Sequence, residues 1–259
     1  MYMGNRNDLS LSEIEYLQAD YRNVSHATLK GMFERGISQL GLSNENDELL
    51  DIEALLLTKV HKDKTILPII VDMIFSRNRK GLFTHDLIWA FFGARDPYSL
   101  MLVANYLDSE HIEDVKLACK LLDFVPELDM DMGKDSKIQY FAFLYWLEEN
   151  YPFLYFTGES FQRSSKPIPY RVALDAKYMY RQISVYTGEP LIPLTEKENT
   201  ILGYFNNLDE ENKLLLSKFS IRIHYENIYL WKSWINNSIT QQISIARNAR
   251  RILDDCNFR

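Results

Sequence analysis

The chain has 259 residues with a formal net charge of -7, 46% hydrophobic and 25% charged residues, and only 10 glycines and 8 prolines. These values exclude a globally disordered chain, and the sparse punctuation excludes an architecture of many short strands, leaving long helices joined by short turns. The acidic balance gives no general attraction to polyanions, because nonspecific nucleic-acid binding needs a cationic surface that displaces counterions.

Ser12 to Tyr21 and Ala27 to Leu40 read as two short helices, the second with Ser25 as N-cap and Gly41 as its stop. The N-terminus is polar and lacks the apolar core of a secretory signal, so a cytoplasmic location is expected. Asp47 to His61 carries Leu49, Ile52, Leu56 and Val60 at helical spacing. The next helix begins near Thr65, with Pro68 in its first turn, and stops in the run Arg77 to Gly81. Its apolar run, Ile66 to Phe75, is shorter than the roughly 20 residues a membrane span requires, so no membrane contact is expected.

From Thr84 to Val125 the punctuation sharpens. Leu87, Ile88, Phe91 and Phe92 precede Gly93; Asp96 is placed as a cap and Pro97 as the first residue of a helix burying Leu100, Val103, Ala104 and Leu107. Glu113 to Val125 then shows two adjacent stripes, Val115, Ala118, Leu122, Val125 and Leu117, Leu121, Phe124. Cys119 lies within this pattern, far in sequence from Cys256, where a free thiol packs as a small hydrophobe.

A Gly before an Asp-Pro turn, an apolar helix ending in Leu, an acidic turn and a Val-x-x-Ala helix, Trp89 to Val125, together resemble a HEAT repeat of the phycobilisome-lyase type. Ile66 to Gly93 stands as a preceding repeat at a period of roughly 30 residues. The resemblance implies an α-solenoid across 66-125 that binds another macromolecule on its concave face, and it implies no chemistry. The expected fold is therefore all-α, in three parts: an N-terminal helix pair at 1-45, HEAT-like repeats at 46-126, and a C-terminal helical bundle at 127-259.

In that last part an acidic connector precedes an aromatic-rich helix, Ile138 to Glu149. The segment from Tyr151 to Tyr170, broken by Pro167 and Pro169, reads as a long loop, centred on 157-170. Helix resumes over Arg171 to Val185, then at Thr195, where Glu198 completes a capping box, and again after Asp209. Phe219, Ile221, Ile223 and Tyr225 alternate with period two, yet no partner strand is evident, so helix is assigned. The final helix, Ser238 to Leu253, is expected to bury Ile239, Ile243, Ala246, Ala249 and Leu253.

Three groups of residues stand out for function. In the long loop, Glu159, Phe161, Arg163, Lys166 and Arg171 form a partner-binding set, the cations around Ser164 and Ser165 being suited to an acidic peptide or a phosphate. Glu15 to Gly36 resembles a DNA-binding helix-turn-helix, which implies that His26, Thr28 and Lys30 face the major groove. Asp129, Asp131 and Asp135 only loosely match a calcium loop, with Tyr140 where a bidentate Glu belongs, and no metal is expected. The five histidines form no metal-binding pair, and the chain has no CxxC, P-loop, GxGxxG or GxSxG pattern, so neither a cofactor nor a catalytic residue is assigned. A noncatalytic scaffold or adaptor for a protein or peptide is the first expectation. A DNA-binding transcriptional regulator with a helical sensor body is the alternative, and a HEAT-like DNA glycosylase ranks third.

Overall fold

The computed structural model describes residues 24-38, 44-126, 128 and 136-257. The first N-terminal helix, the stop at Gly41 and the Asp129, Asp131 and Asp135 connector lie outside these residues. The chain divides into two compact units, Met1–Trp146 with Gly158–Pro169, and Leu147–Thr157 with Tyr170–Arg259.

In the first unit, α1 (His26–Ile37) starts where Ser25 accepts from the Thr28 amide, as its sequence position requires. α2 (Asn44–Leu55) runs into a π-helical turn, Leu56–Val60. α3 (Leu67–Arg79) has Pro68 in its first turn and α4 (His85–Gly93) follows. α1 packs on α2, α2 on α4, and α3 on both α4 and α6 (Ile112–Leu121). The expected helix from Pro97 to Leu107 is instead three short pieces: a 3-10 turn Pro97–Ser99, α5 (Leu100–Ala104) and a 3-10 turn Asn105–Asp108. Asp96 does not cap it. Its carboxylate binds Lys64 at 3.1 Å, and Ser99 turns back to the Asp96 carbonyl, which tightens the first turn. Leu100, Val103, Ala104 and Leu107 are buried all the same. On α6 and the turn after it, Leu117, Ala118, Leu121, Leu122 and Val125 are buried, as is the free thiol of Cys119.

This unit also buries charge. Arg77 is 2% exposed, donating to Asp51 at 2.7 Å and to the Asp47 carbonyl at 3.2 Å. Burial pushes the Asp51 carboxyl up to about 7 although Arg77 pulls against it. Asp114, equally buried, meets Arg79 at 3.2 Å and accepts from Ser109.

α7 (Ser136–Asn150) contains the boundary between the units and leads through a 3-10 turn, Tyr151–Phe153, into the second. There the structure corrects two expectations. The segment expected to be wholly irregular contributes a short antiparallel pair, β1 (Leu154–Phe156) and β2 (Tyr170–Val172), in the register Leu154 to Val172 and Phe156 to Tyr170. Each strand has three residues, too few to show a period of two. Helix over Arg171 to Val185 shrinks to α8 (Leu174–Met179), because Arg171 and Val172 belong to the strand and Tyr180 ends the helix in a left-handed conformation at φ 49°. The chain then folds back through a bridge between Ile183 and Pro190, and the Phe156 amide donates to the Val185 carbonyl. Gly188, at φ 76°, lies under the Tyr155 ring, where a Cβ would come within 2.8 Å.

α9 (Glu196–Asn206) opens with the full Thr195–Glu198 capping box, and α10 (Glu210–Glu226) with Asp209 accepting from the Asn212 amide. The alternating segment is thus helix: Leu216, Ser217, Ser220 and Ile221 face inward, at helical spacing. α11 (Ile228–Ile235) and α12 (Ile239–Asn257) pack against α10. The core joins Tyr178, Phe205, Leu216, Trp234 and Ala246, with Ile239 and Ile243 half-buried at its edge. The Tyr178 hydroxyl donates to Gln242 at 2.6 Å, and the Gln242 amide serves the carbonyls of Ile235 and Asn237. The described residues are predominantly helical, and no helix among them is long and apolar enough to cross a membrane.

Candidate functional site

In the first unit, Lys59 lies within the π-helical turn Leu56–Val60. Its Nζ lies 3.0 Å from the centroid of the half-buried Trp89 ring on α4. The stem crosses Gly93, where a Cβ would stand 2.5 Å from the Lys59 Cε; glycine is required for this approach. Burial lowers the Lys59 amine to about 7, and the charges of Arg95 and Lys62 push the same way while Asp86 opposes them. Lys62, two residues past the π turn, is itself lowered by partial burial and by Arg95. Lys62 and Arg95 hold left-handed backbones, φ 56° and 53°, and each follows the αR residue that ends a helix. Of these cations it is Lys59 that lies over the indole face, with the charges of Lys62 and Arg95 acting on it.

The carboxylates next in sequence to those cations serve other groups. Asp63 accepts from Thr65, from His26 at 2.8 Å and lies 3.3 Å from Lys30; burial raises it, but these bonds outweigh that effect and hold it well below the usual carboxylate range. Asp96 pairs with Lys64. The helix-turn-helix candidates are therefore bound within the chain: His26 and Lys30 to Asp63, Lys30 also to Thr65, and the Thr28 hydroxyl to Ser25. Reading bases from this helix requires giving up these contacts.

The loop set is divided between the units. Phe161 seats its ring against Phe92, 5.9 Å between centroids, and its carbonyl meets the His85 ring at 3.1 Å. Glu159 folds back on the loop and accepts from the Ile168 amide. Arg163 is exposed, and Lys166, 81% exposed, lies 3.6 Å from Asp123. Arg171 is placed in the second unit, on β2 opposite Tyr155. The structure thus gives Glu159 and Phe161 a role in fixing the loop and leaves Arg163 and Lys166 on its outer side.

The aromatic-rich α7 holds the feature that sequence patterning overlooks. Gln139, Phe143, Trp146, Leu147 and Asn150 are buried, whereas Ile138, Phe141 and Tyr145, spaced three and four apart, are 60, 53 and 71% exposed. The exposed stripe presents on the order of 400 Å² if each side chain offers roughly 150 to 250 Å². A helix apolar on both faces is ordinarily enclosed on both, so one face here is left for another surface. A second apolar run, Tyr225, Ile228, Tyr229 and Leu230, is exposed where α10 meets α11. A cleft of about 210 Å³ lies between Pro68, Asp72, Asn105 and Tyr106; Tyr106 donates to Asp72 at 2.8 Å, and burial and that carboxylate push the phenol up to about 12. Among the described residues no group of three or more His, Cys, Asp or Glu is placed to hold a metal ion.

Sequence patterning missed Lys59, Trp89, Lys62 and Arg95 because they come from three turns and because a lysine inside an apolar helix reads as a solvated residue. The signal was present in two helix ends, at Lys62 and at Arg95, where a cation follows the last turn. No family model, curated protein or solved structure matches the chain.

Proposed function

We propose that the protein is a noncatalytic helical scaffold that binds a protein or peptide partner, with HEAT-like helix stacking over 66-125 and the Ile138, Phe141, Tyr145 stripe of α7 as its principal docking face. The observation that carries this is the exposure of three large apolar side chains on one face of a helix whose opposite face is core. Aromatic anchors of this kind dominate interface energetics, because each rigid ring contributes a large area with few rotamers to immobilise.

Magnitudes define the partner. Covering about 400 Å² of apolar surface returns roughly 10 kcal/mol gross at 25 cal/mol per Å², comparable with the roughly 4 to 15 kcal/mol lost on association. The stripe is thus the centre of a contact and not the whole of it. A rim of polar contacts completes a specific interface of about 800 Å² per partner. An amphipathic helix laid along α7, with apolar residues at matching spacing, meets both requirements.

The test is a double substitution, Phe141→Asp with Tyr145→Asp, which places two charges on an already exposed face and leaves the buried side of α7 intact. Affinity for the partner should fall by at least about 30-fold, since either anchor position alone contributes about 2 kcal/mol or more. Unchanged affinity with an intact fold refutes this docking face.

A further inference from the structure

We infer that the cleft between α3 and the α5 segment receives an arginine side chain of a partner chain, a second site that stands apart from the docking face on α7. Pro68, Val71 and Asp72 come from adjacent turns of α3. Leu102, Asn105 and Tyr106 come from α5 and the 3-10 turn after it, and together the six enclose about 210 Å³. Pockets that hold whole small molecules run from roughly 300 to 1,000 Å³. This cleft is therefore the size for one long side chain, whose own backbone stays outside.

The lining sets the chemistry of that side chain. Pro68, Val71 and Leu102 are apolar and suit a methylene stem, which long cationic side chains lay along such walls. The polar groups offer chiefly acceptors: the exposed Asp72 carboxylate, the Asn105 amide carbonyl, and the phenolic oxygen of Tyr106, whose proton is committed to Asp72 at 2.8 Å. A guanidinium carries five donors and no acceptor, in a planar fork that matches a carboxylate. Among the described residues that line the cleft there is no cation to compete for Asp72. Arg79, about two turns farther along α3, lies 3.2 Å from the buried Asp114.

The site is also set before a ligand arrives. The Tyr106 ring lies flat on the fully buried Phe75, with 3.6 Å between centroids and 3° between planes. The stack fixes the phenol, and the phenol fixes the Oδ1 atom of Asp72, which leaves Oδ2 for an incoming donor. An acceptor held in this way loses little freedom on binding.

The test is an NMR titration of the full chain near pH 7 at constant ionic strength, read from the Val71 and Leu102 methyls and the Asn105 side-chain amide. The probes are N-acetyl-arginine amide, the same blocked forms of citrulline and lysine, and free arginine. Saturable shifts at the cleft are expected, with blocked arginine at least about tenfold tighter than citrulline, which keeps the shape and loses the charge. Arginine should also exceed lysine by about threefold, because an ammonium lacks the planar fork. Asp72→Asn keeps an acceptor for Tyr106 and should weaken arginine binding about tenfold. Leu102→Trp leaves Asp72 in place but fills the cleft, and should abolish the shifts. No saturable shift, citrulline or lysine binding as tightly as arginine, or binding unaltered in either variant overturns the inference. Free arginine binding more tightly than the blocked compound assigns the cleft to the amino acid and overturns a partner chain as its source. None of these results bears on the α7 stripe.

Discussion

Replacing Arg77 by methionine tests how the first unit holds charge in its core. In the wild type the Arg77 guanidinium donates to Asp51 at 2.7 Å, and both side chains are 3% exposed. Methionine fills most of the same volume, so the perturbation is electrostatic and not a cavity. At pH 8 the buried Asp51 carboxyl loses its partner and must stay charged unpaired or take up a proton against the solution pH, a loss of about 3 to 5 kcal/mol. Asp51 titrates near 7 in the folded chain against 3.8 in the unfolded one, so the folded chain retains a proton the unfolded chain has released. Stability from this group is full below about pH 4 and falls as pH rises toward 7. Without Arg77 the carboxyl is pushed higher still, and at pH 5 it is neutral in the folded variant; only the lost hydrogen bonds remain, about 1 to 2 kcal/mol. Hydrogen exchange of α2 and α3 across a urea series reads the first unit separately from the second. A cost below 1 kcal/mol at pH 8, or the same cost at pH 5 and pH 8, refutes the reasoning. Adding Asp51→Leu to Arg77→Met should recover most of the loss at pH 8, because an apolar pair leaves no charge to desolvate.

Three further outcomes follow from named contacts. Gly93→Ala brings a methyl within 2.5 Å of the Lys59 Cε and should lift the amine off Trp89, returning its titration from about 7 toward 10.5, as read from the lysine ε-carbon by NMR. Gln242→Leu strands the Tyr178 hydroxyl and two carbonyls and should cost the second unit about 2 to 4 kcal/mol in a urea titration, whereas Tyr178→Phe should cost under about 1.5 kcal/mol because it removes the donor along with its need for a partner. Thr195→Ala breaks the capping box and should lower stability by about 1 kcal/mol, with the added exchange confined to the first turn of α9.

Much of the helical architecture is legible in local chemistry. Ser25, Pro68, Asp209 and the Thr195–Glu198 pair mark helix starts because a cap is decided within four residues, and the structure places helices there. Phe219 to Tyr225 shows where patterning is ambiguous. Its alternation is a feature of the apolar residues alone, while the buried face of α10 includes Ser217 and Ser220, whose burial depends on partners far away in sequence, such as the Tyr178 carbonyl that accepts from Ser220. The strands escape notice because Leu154 to Phe156 becomes a strand only by meeting Tyr170 to Val172. Candidate site residues fare similarly. Asp63 claims His26 and Lys30 from 37 and 33 positions away, Phe161 anchors to Phe92, and Lys59 finds Trp89 across a π turn that no propensity encodes. The Ile138, Phe141, Tyr145 spacing is visible in the sequence, but an apolar helix has several such stripes and only tertiary packing selects the one left exposed.

The most direct test of the scaffold account is photo-crosslinking from position 145. A benzophenone amino acid replaces Tyr145 in the intact chain, with a second version carrying it at Lys116, an exposed position on α6, and both are irradiated in native cells. The account predicts one discrete protein adduct from position 145, lost when Phe141→Asp is added, and none from position 116. No adduct from 145, or the same adducts from both positions, contradicts it.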